Sequence, residues 1–206
     1  MRHQSCLPNS SGVLVADASV WVNLAATGRV ADHVRVIRRK LVITDVALAE
    51  LERGRAKGRQ TAAQVTALIG DGMVDVVKCP AEHEDLLLSL LAGGAATTLD
   101  DGEAATLVFA HSCGGIAVID ERKATVLAAR QFPNLLLQTT TDLLLAPEML
   151  DAFGAATLSD SIHNALLLAR MRIPEHQMTA VLTLIGPERA KACVSLPAAH
   201  RIGAPA

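Results

Sequence analysis

The sequence predicts an α/β fold built on a parallel sheet with helices on both sides, and three observations carry that reading. Short apolar runs recur at Val13-Leu14-Val15-Ala16, Leu41-Val42-Ile43-Thr44 and Ile116-Ala117-Val118-Ile119. Runs of this length without polar alternation suit strands covered on both faces. Helix-like stretches alternate with them in the order β-α-α-β-α-β, the pattern of crossover units rather than hairpins. Half the residues are hydrophobic but only 2% are aromatic, so the core must be built from Ala, Leu, Val and Ile. That composition favours helix packed on strand.

Taken in order, residues 1–12 read as a flexible, polar lead-in. Its opening, Met1 to Pro8, lacks the apolar core of a signal peptide. No apolar run is long enough to span a bilayer, so the expectation is a cytoplasmic protein with no membrane partner. Ala25–Lys40 contains a helix that turns basic at Arg35, Arg38, Arg39 and Lys40. A second basic cluster, Arg53, Arg55, Lys57 and Arg59, is punctuated by Gly54 and Gly58. A helix at Thr61–Ile69, a strand at Val74–Val77 and a helix at Glu82–Leu91 follow, and the small-residue linker Ala92–Thr98 leads to an acidic helix start at Asp100-Asp101-Gly102-Glu103. After the third apolar run come a helix at Arg122–Arg130, a strand at Leu135–Leu137 and the run Thr139-Thr140-Thr141. Pro147 marks a break; Met149–Gly186 reads as helices, for example Ser161–Met171 and Glu175–Leu184, and the tail from Cys193 as loose. The expected organisation is one α/β domain over 13–147 and a helical C-terminal extension with tail over 148–206. The four cysteines are scattered without a CxxC pair, which implies reduced thiols rather than a disulfide framework or zinc site. A formal net charge of −2 gives no support for tight unspecific nucleic-acid binding.

Each apolar run hands over to an acid. Asp17 ends the first, Glu50 lies in the first turn of the helix that follows the second, Glu103 opens the helix before the third, and Asp120 ends the third. In an open α/β sheet the carboxyl ends of strands converge on one crevice, where ligands bind. Like charges at close range raise one another's pKa, so such a group normally exists to hold a cation. Each acid also has a purely structural use. Asp17 with Ser19 fits an N-cap, Asp100 with Glu103 fits a capping box, Glu50 fits an exposed helix position, and Asp120-Glu121 fits a polar turn. Four local features pointing to one sheet edge favour the joint site. The seven histidines show no paired-ligand spacing, and no phosphate-binding glycine motif is present. Ser19 stands where a haloacid-dehalogenase-type phosphotransferase needs a second Asp, and Ala16-Asp17-Ala18 lacks the acidic pair of a receiver domain.

Val15-Ala16-Asp17-Ala18-Ser19, with Glu50-Leu51-Glu52-Arg53-Gly54, Gly102-Glu103-Ala104-Ala105 and Ile119-Asp120-Glu121-Arg122-Lys123-Ala124, resembles the PIN-domain family. The likeness is to its bacterial and archaeal VapC-like ribonucleases with a Gly-Glu third acidic motif, and it covers residues 13–141. It implies a three-layer α/β/α sandwich with a central, mostly parallel sheet. It also implies a Mg²⁺ or Mn²⁺ ion held by the catalytic acids Asp17, Glu50, Glu103 and Asp120, and metal-dependent endonucleolytic cleavage of RNA. It further implies the toxin of a toxin–antitoxin pair, held by a small antitoxin protein and acting as a homodimer. Many toxin-type members carry Asp at the third position, where this chain has Glu103, and the carboxylate of Glu121 follows Asp120. The stretch after Pro147 matches nothing in the resemblance.

The chemistry is consistent with these residue types. Mg²⁺ and Mn²⁺ prefer hard oxygen ligands, so a few carboxylates suffice. Ser19, two residues past Asp17, is a candidate to bond a metal-bound water or a phosphate, and Arg122, Lys123 and the Arg53–Arg59 cluster are candidates for contacts to an RNA backbone. The scarcity of aromatics argues against a base-stacking platform. The competing reading is a catalytically silent PIN-like domain that acts as a partner-binding or regulatory module.

Overall fold

In the computed structural model, residues 12–55, 60–92, 94 and 98–201 are described. The expected lead-in before Gly12, with Cys6, lies outside them, as do Lys57, Gly58 and Arg59 of the second basic cluster and much of the small-residue linker. The chain divides into two compact units, Met1–Trp21 with Arg38–Gln138, and Val22–Ile37 with Thr139–Ala206.

The first unit is organised on five short strands: β1 (Leu14–Ala16), β2 (Leu41–Thr44), β3 (Val74–Val77), β4 (Ile116–Val118) and β5 (Leu136–Gln138). They form one sheet in the order β3-β2-β1-β4-β5, every pair parallel. Leu14 is level with Leu41 on one side and Ile116 on the other, which aligns the apolar runs seen in the sequence. The helices that begin or lie in this unit are α1 (Ala18–Ala26), α3 (Asp45–Arg55), α4 (Thr61–Gly70), α5 (Glu84–Leu91), α6 (Asp101–Ser112) and α7 (Arg122–Gln131); α2 (Val30–Val36) belongs to the second. The connections β2→β3 and β4→β5 step in opposite directions along the sheet. Right-handed crossovers therefore place their helices on opposite faces, giving the α/β/α sandwich.

The packing explains why the strands lack polar alternation. Val13, Val15, Val42, Ala117 and Ile119 meet Leu90 of α5, Ala104, Leu107 and Val108 of α6, and Ala124, Leu127 and Ala128 of α7 in one core. Their alternating neighbours Leu14, Ala16, Leu41, Ile43 and Val118 point to the other face and are buried as well. Helix α6 is buried at every position from Gly102 to Ala110, as an apolar helix without a polar face must be. β1 winds outward to β2 and β4 to β5, so the direction of winding reverses between β1 and β4. Asp17 follows one of these strands and Asp120 the other.

Boundaries differ from the sequence reading in places with a local cause. Thr44 Oγ1 accepts the Ala47 N–H at 3.1 Å, so α3 starts directly at the strand end and Glu50 falls in its second turn rather than its first. α2 ends at Val36, where Ile37 turns extended, so Arg38, Arg39 and Lys40 stand in the connection to β2 and not on the helix.

The second unit is helical: α2, α8 (Thr140–Leu144), α9 (Pro147–Leu168), α10 (Met178–Ile185), α11 (Pro187–Ala192) and α12 (Ala198–Arg201). Thr139 and Asp142 cap α8 reciprocally, which makes the threonine run a helix start. α9 is broken at Gly154, with φ of +71°, and beyond it Leu158, Ile162, Ala165 and Leu166 form a buried stripe at helical spacing. α9 and α10 replace the expected helices at 161–171 and 175–184, and the described part of the expected loose tail includes the short helix α12. Among the described residues, no helix is long and apolar enough to cross a membrane.

Gly115 joins α6 to β4 at close quarters. A Cβ there would lie 3.0 Å from the Val13 carbonyl oxygen and 3.1 Å from Cys113 Sγ. Gly115→Ala is expected to cost about 1–3 kcal/mol through overpacking against backbone, read as a lower urea midpoint with an unchanged m-value.

Candidate metal centre

The site is assembled from helix starts. Asp17 leaves β1 by donating its N–H to the Val118 carbonyl at 3.1 Å, and its own carbonyl accepts from Val20 at 3.1 Å, beginning α1. Its Oδ2 accepts both the N–H (3.1 Å) and the hydroxyl (2.7 Å) of Ser19, an N-cap made twice over. Its Oδ1 is buried and has no hydrogen-bond partner. Asp100 caps α6 in the same manner. Its Oδ1 accepts the Glu103 N–H at 2.8 Å, and Glu103 Oε2 accepts the Asp100 N–H at 3.2 Å. Glu121 caps α7 by accepting the Lys123 N–H at 3.3 Å. Glu50 reaches in from α3 over Gly102.

These elements enclose a cleft of about 380 Å³ lined by Asp17, Ser19, Glu50, Asp100, Glu103, Glu121 and Lys123. Five carboxylates and one ammonium give it strongly negative character. The starts of α1, α6 and α7 all supply residues to it, and the partial positive charge of helix N-termini offsets some of the repulsion. Burial raises the Asp17 carboxyl above its usual range despite the lowering effect of the Ser19 hydrogen bonds. Burial, followed by the charge of Asp100, pushes Glu103 up to about 7, with smaller contributions from Asp17 and Glu121.

Of the residues singled out in the sequence, Asp17, Ser19, Glu50, Glu103 and Lys123 line this one cleft. Asp120 is buried just past the end of β4, where the register of Ala16 with Val118 sets it one residue beyond the level of Asp17. It is not among the lining residues, and neither is the exposed Arg122. The Ser19 proton is committed to Asp17, so toward a phosphate this hydroxyl presents lone pairs rather than a donor. Asp100 and Glu121 are the lining acids that the sequence offered only as a cap and an extra carboxylate. Their signal was the N-cap position itself, since a cap residue at a helix that starts from the sheet edge faces the same crevice as the strand-end acids. The structural and the site readings of Asp17 and Glu103 hold together: one oxygen of each carboxylate caps a helix and the other is left over.

A divalent cation suits these donors. All are hard oxygens, an anionic oxygen is buried without a partner at Asp17, and a glycine leaves a notch between Asp17 and Glu50. As the side chains stand, no group of three or more His, Cys, Asp or Glu among the described residues is drawn tightly enough together to hold a metal ion. The carboxylates ring the cleft rather than meeting at a point.

The family model of the PIN domain matches residues 13–186. The chain belongs to the PIN-domain family. Searches of curated proteins and of solved structures returned no match. PIN domains are generally nucleases and generally use divalent metal ions. The match continues past Pro147 through α9 and α10 to Gly186, beyond the stretch that carried the resemblance in the sequence.

In this PIN domain Glu103 keeps its proton to about pH 7 when folded and releases it near 4.5 when unfolded. Over that window the folded state binds more protons, so stability falls as pH rises. Buried His33, pushed down to about 4, acts in the opposite sense over much of the same range, so the share of Glu103 is read against a Glu103→Gln variant. In EDTA the melting temperature of the wild type relative to that variant is expected to fall as pH rises through the window, at about 2–4 °C per kcal/mol, and Mg²⁺ or Mn²⁺ should offset the fall. Parallel pH profiles for the two proteins contradict the assignment.

Proposed function

We propose that this chain is an endoribonuclease that cleaves RNA phosphodiesters with Mg²⁺ or Mn²⁺. By its family it is further proposed as the toxin of a toxin–antitoxin pair, with a small antitoxin and a second copy of itself as partners. The observation that carries the nuclease reading is Asp17 Oδ1, a buried anionic oxygen without a partner at the point where the sheet's winding reverses. Asp17, Glu50, Glu103 and Asp120 are the proposed ligands and catalytic acids. A divalent cation, when bound, withdraws charge from a phosphate oxygen and eases the ionisation of water at neutral pH.

The chain's own residues define the rest of the chemistry. A cleft of five carboxylates and one ammonium repels a bare polyanion, so positive charge must enter it for RNA to be held. Ser19 fixes Asp17 by taking up Oδ2, which leaves Oδ1 as the oxygen presented. Lys123, which lines the cleft, and Arg122, with it in the first turn of α7, are the proposed contacts to backbone phosphates. No lining residue is aromatic, so recognition in this cleft rests on phosphates and shape rather than on stacked bases.

The test is cleavage of a mixed set of structured and single-stranded RNAs by the purified chain in Mg²⁺, in Mn²⁺ and in EDTA. Cleavage is expected with either metal and not in EDTA. Asp17→Asn should lower the rate about 10²-fold or more, the scale set by removing one preorganised charged group. Cutting that persists in an Asp17→Asn/Asp120→Asn variant overturns the proposal. Equal cutting of matched DNA overturns the choice of RNA.

A further inference from the structure

The nuclease reading leaves open which of this chain's groups form the cation pocket itself, and the inference below rests on that reading. A Cβ placed on Gly102 would lie 2.8 Å from Glu50 Oε2, 3.4 Å from Asp17 Oδ1 and 3.6 Å from Asp100 Oδ1. Three carboxylate oxygens, contributed by the end of β1, by α3 and by the cap of α6, therefore surround one notch the size of a methyl group. One of the three, Asp17 Oδ1, belongs to a side chain only 4% exposed and has no hydrogen-bond partner.

Neither Gly102 nor the charge of Asp100 is required by local structure. Gly102 is the second residue of α6 and does not adopt a left-handed conformation, so its backbone suits alanine. Glycine within a helix is worse than alanine by about 0.5–1 kcal/mol, and the notch supplies the spatial reason for it. Asp100 caps α6, but asparagine caps equally well, so the cap does not demand an anion. A further negative charge beside Asp17 and Glu103 is unfavourable by itself, and it raises the proton affinity of both.

We infer that Asp100 joins Asp17 and Glu50 in holding the divalent cation, and that Gly102 is the positioning residue whose missing side chain leaves the ion its room. Asp100 stands outside the four acids that the sequence resemblance implies. The pocket so defined lies beside the first turn of α6.

The experiment is calorimetric titration of Mn²⁺ into the full chain, with far-UV circular dichroism and melting temperature recorded in EDTA for each protein. Asp100→Asn retains the cap and is expected to fold as the wild type does, yet bind Mn²⁺ about tenfold or more weakly. Gly102→Ala is expected to retain the helix and weaken Mn²⁺ to a similar degree, because its methyl displaces the flexible Glu50 carboxylate rather than backbone. Stabilisation by Mn²⁺ in the thermal scan should shrink in parallel for both. An Asp100→Asn protein that binds Mn²⁺ within twofold of a binding wild type overturns the inference and leaves the nuclease reading standing. The same result with folded Gly102→Ala overturns it too. A wild type that takes up no Mn²⁺ overturns the nuclease reading and this inference with it.

Discussion

Coulomb repulsion among carboxylates brought into one cleft is the constraint around which the first unit is built. Asp17, Glu50, Asp100, Glu103 and Glu121 come from four separate elements, and nothing in their own chemistry holds them together. Backbone hydrogen bonding does. Asp17, Asp100 and Glu121 each accept amide protons at a helix start, and Glu103 returns a bond to the amide of Asp100. Every such bond ties an acid to a rigid element and places it in the favourable field of a helix N-terminus. The sheet order brings those helix starts to one edge, because the winding reverses between β1 and β4.

Rigidity of the platform follows from α6. A helix buried at every position from Gly102 to Ala110 cannot rotate or slide without disturbing the core on all sides. Asp100 and Glu103 are thus fixed by the packing of Leu107 and Val108 as much as by their own bonds. Glu50 differs, since it reaches the cleft on a longer side chain from the second turn of α3, and its Oε2 lies where a Cβ on Gly102 would crowd it.

Much of the fold was legible because its strands are covered on both faces. Runs such as Leu41-Val42-Ile43 carry no polar alternation, and only a parallel sheet between helices accommodates several of them in one chain. The start of α3 was misplaced by most of a turn because Thr44 ends a strand and caps a helix at once. The second unit was legible as helical, but the break at Gly154 and the closing turn of α12 depend on tertiary contacts that periodicity does not report. For the site, a strand-end position pointed to Asp17 and a helix-start position to Glu103, and the cleft lining holds both. Such positions did not separate Asp120, just past β4 but outside the cleft lining, from Asp100, a cap that faces inward. That distinction lies in the rotation of side chains about strand and helix ends, which spacing along the chain does not encode.

The double employment of these acids has an evolutionary consequence. Were the proposed nuclease activity lost in a lineage, selection would still keep hydrogen-bond acceptors at 17, 100 and 103, since α1 and α6 start on them. Descendants relieved of catalysis would drift first where the acid lies inside a helix rather than at its start, as at Glu50 in the second turn of α3, while the caps persisted as Asp, Asn or Ser. In relatives of this fold, the acid in the middle of α3 is therefore a sharper witness to retained chemistry than the acids at the helix starts.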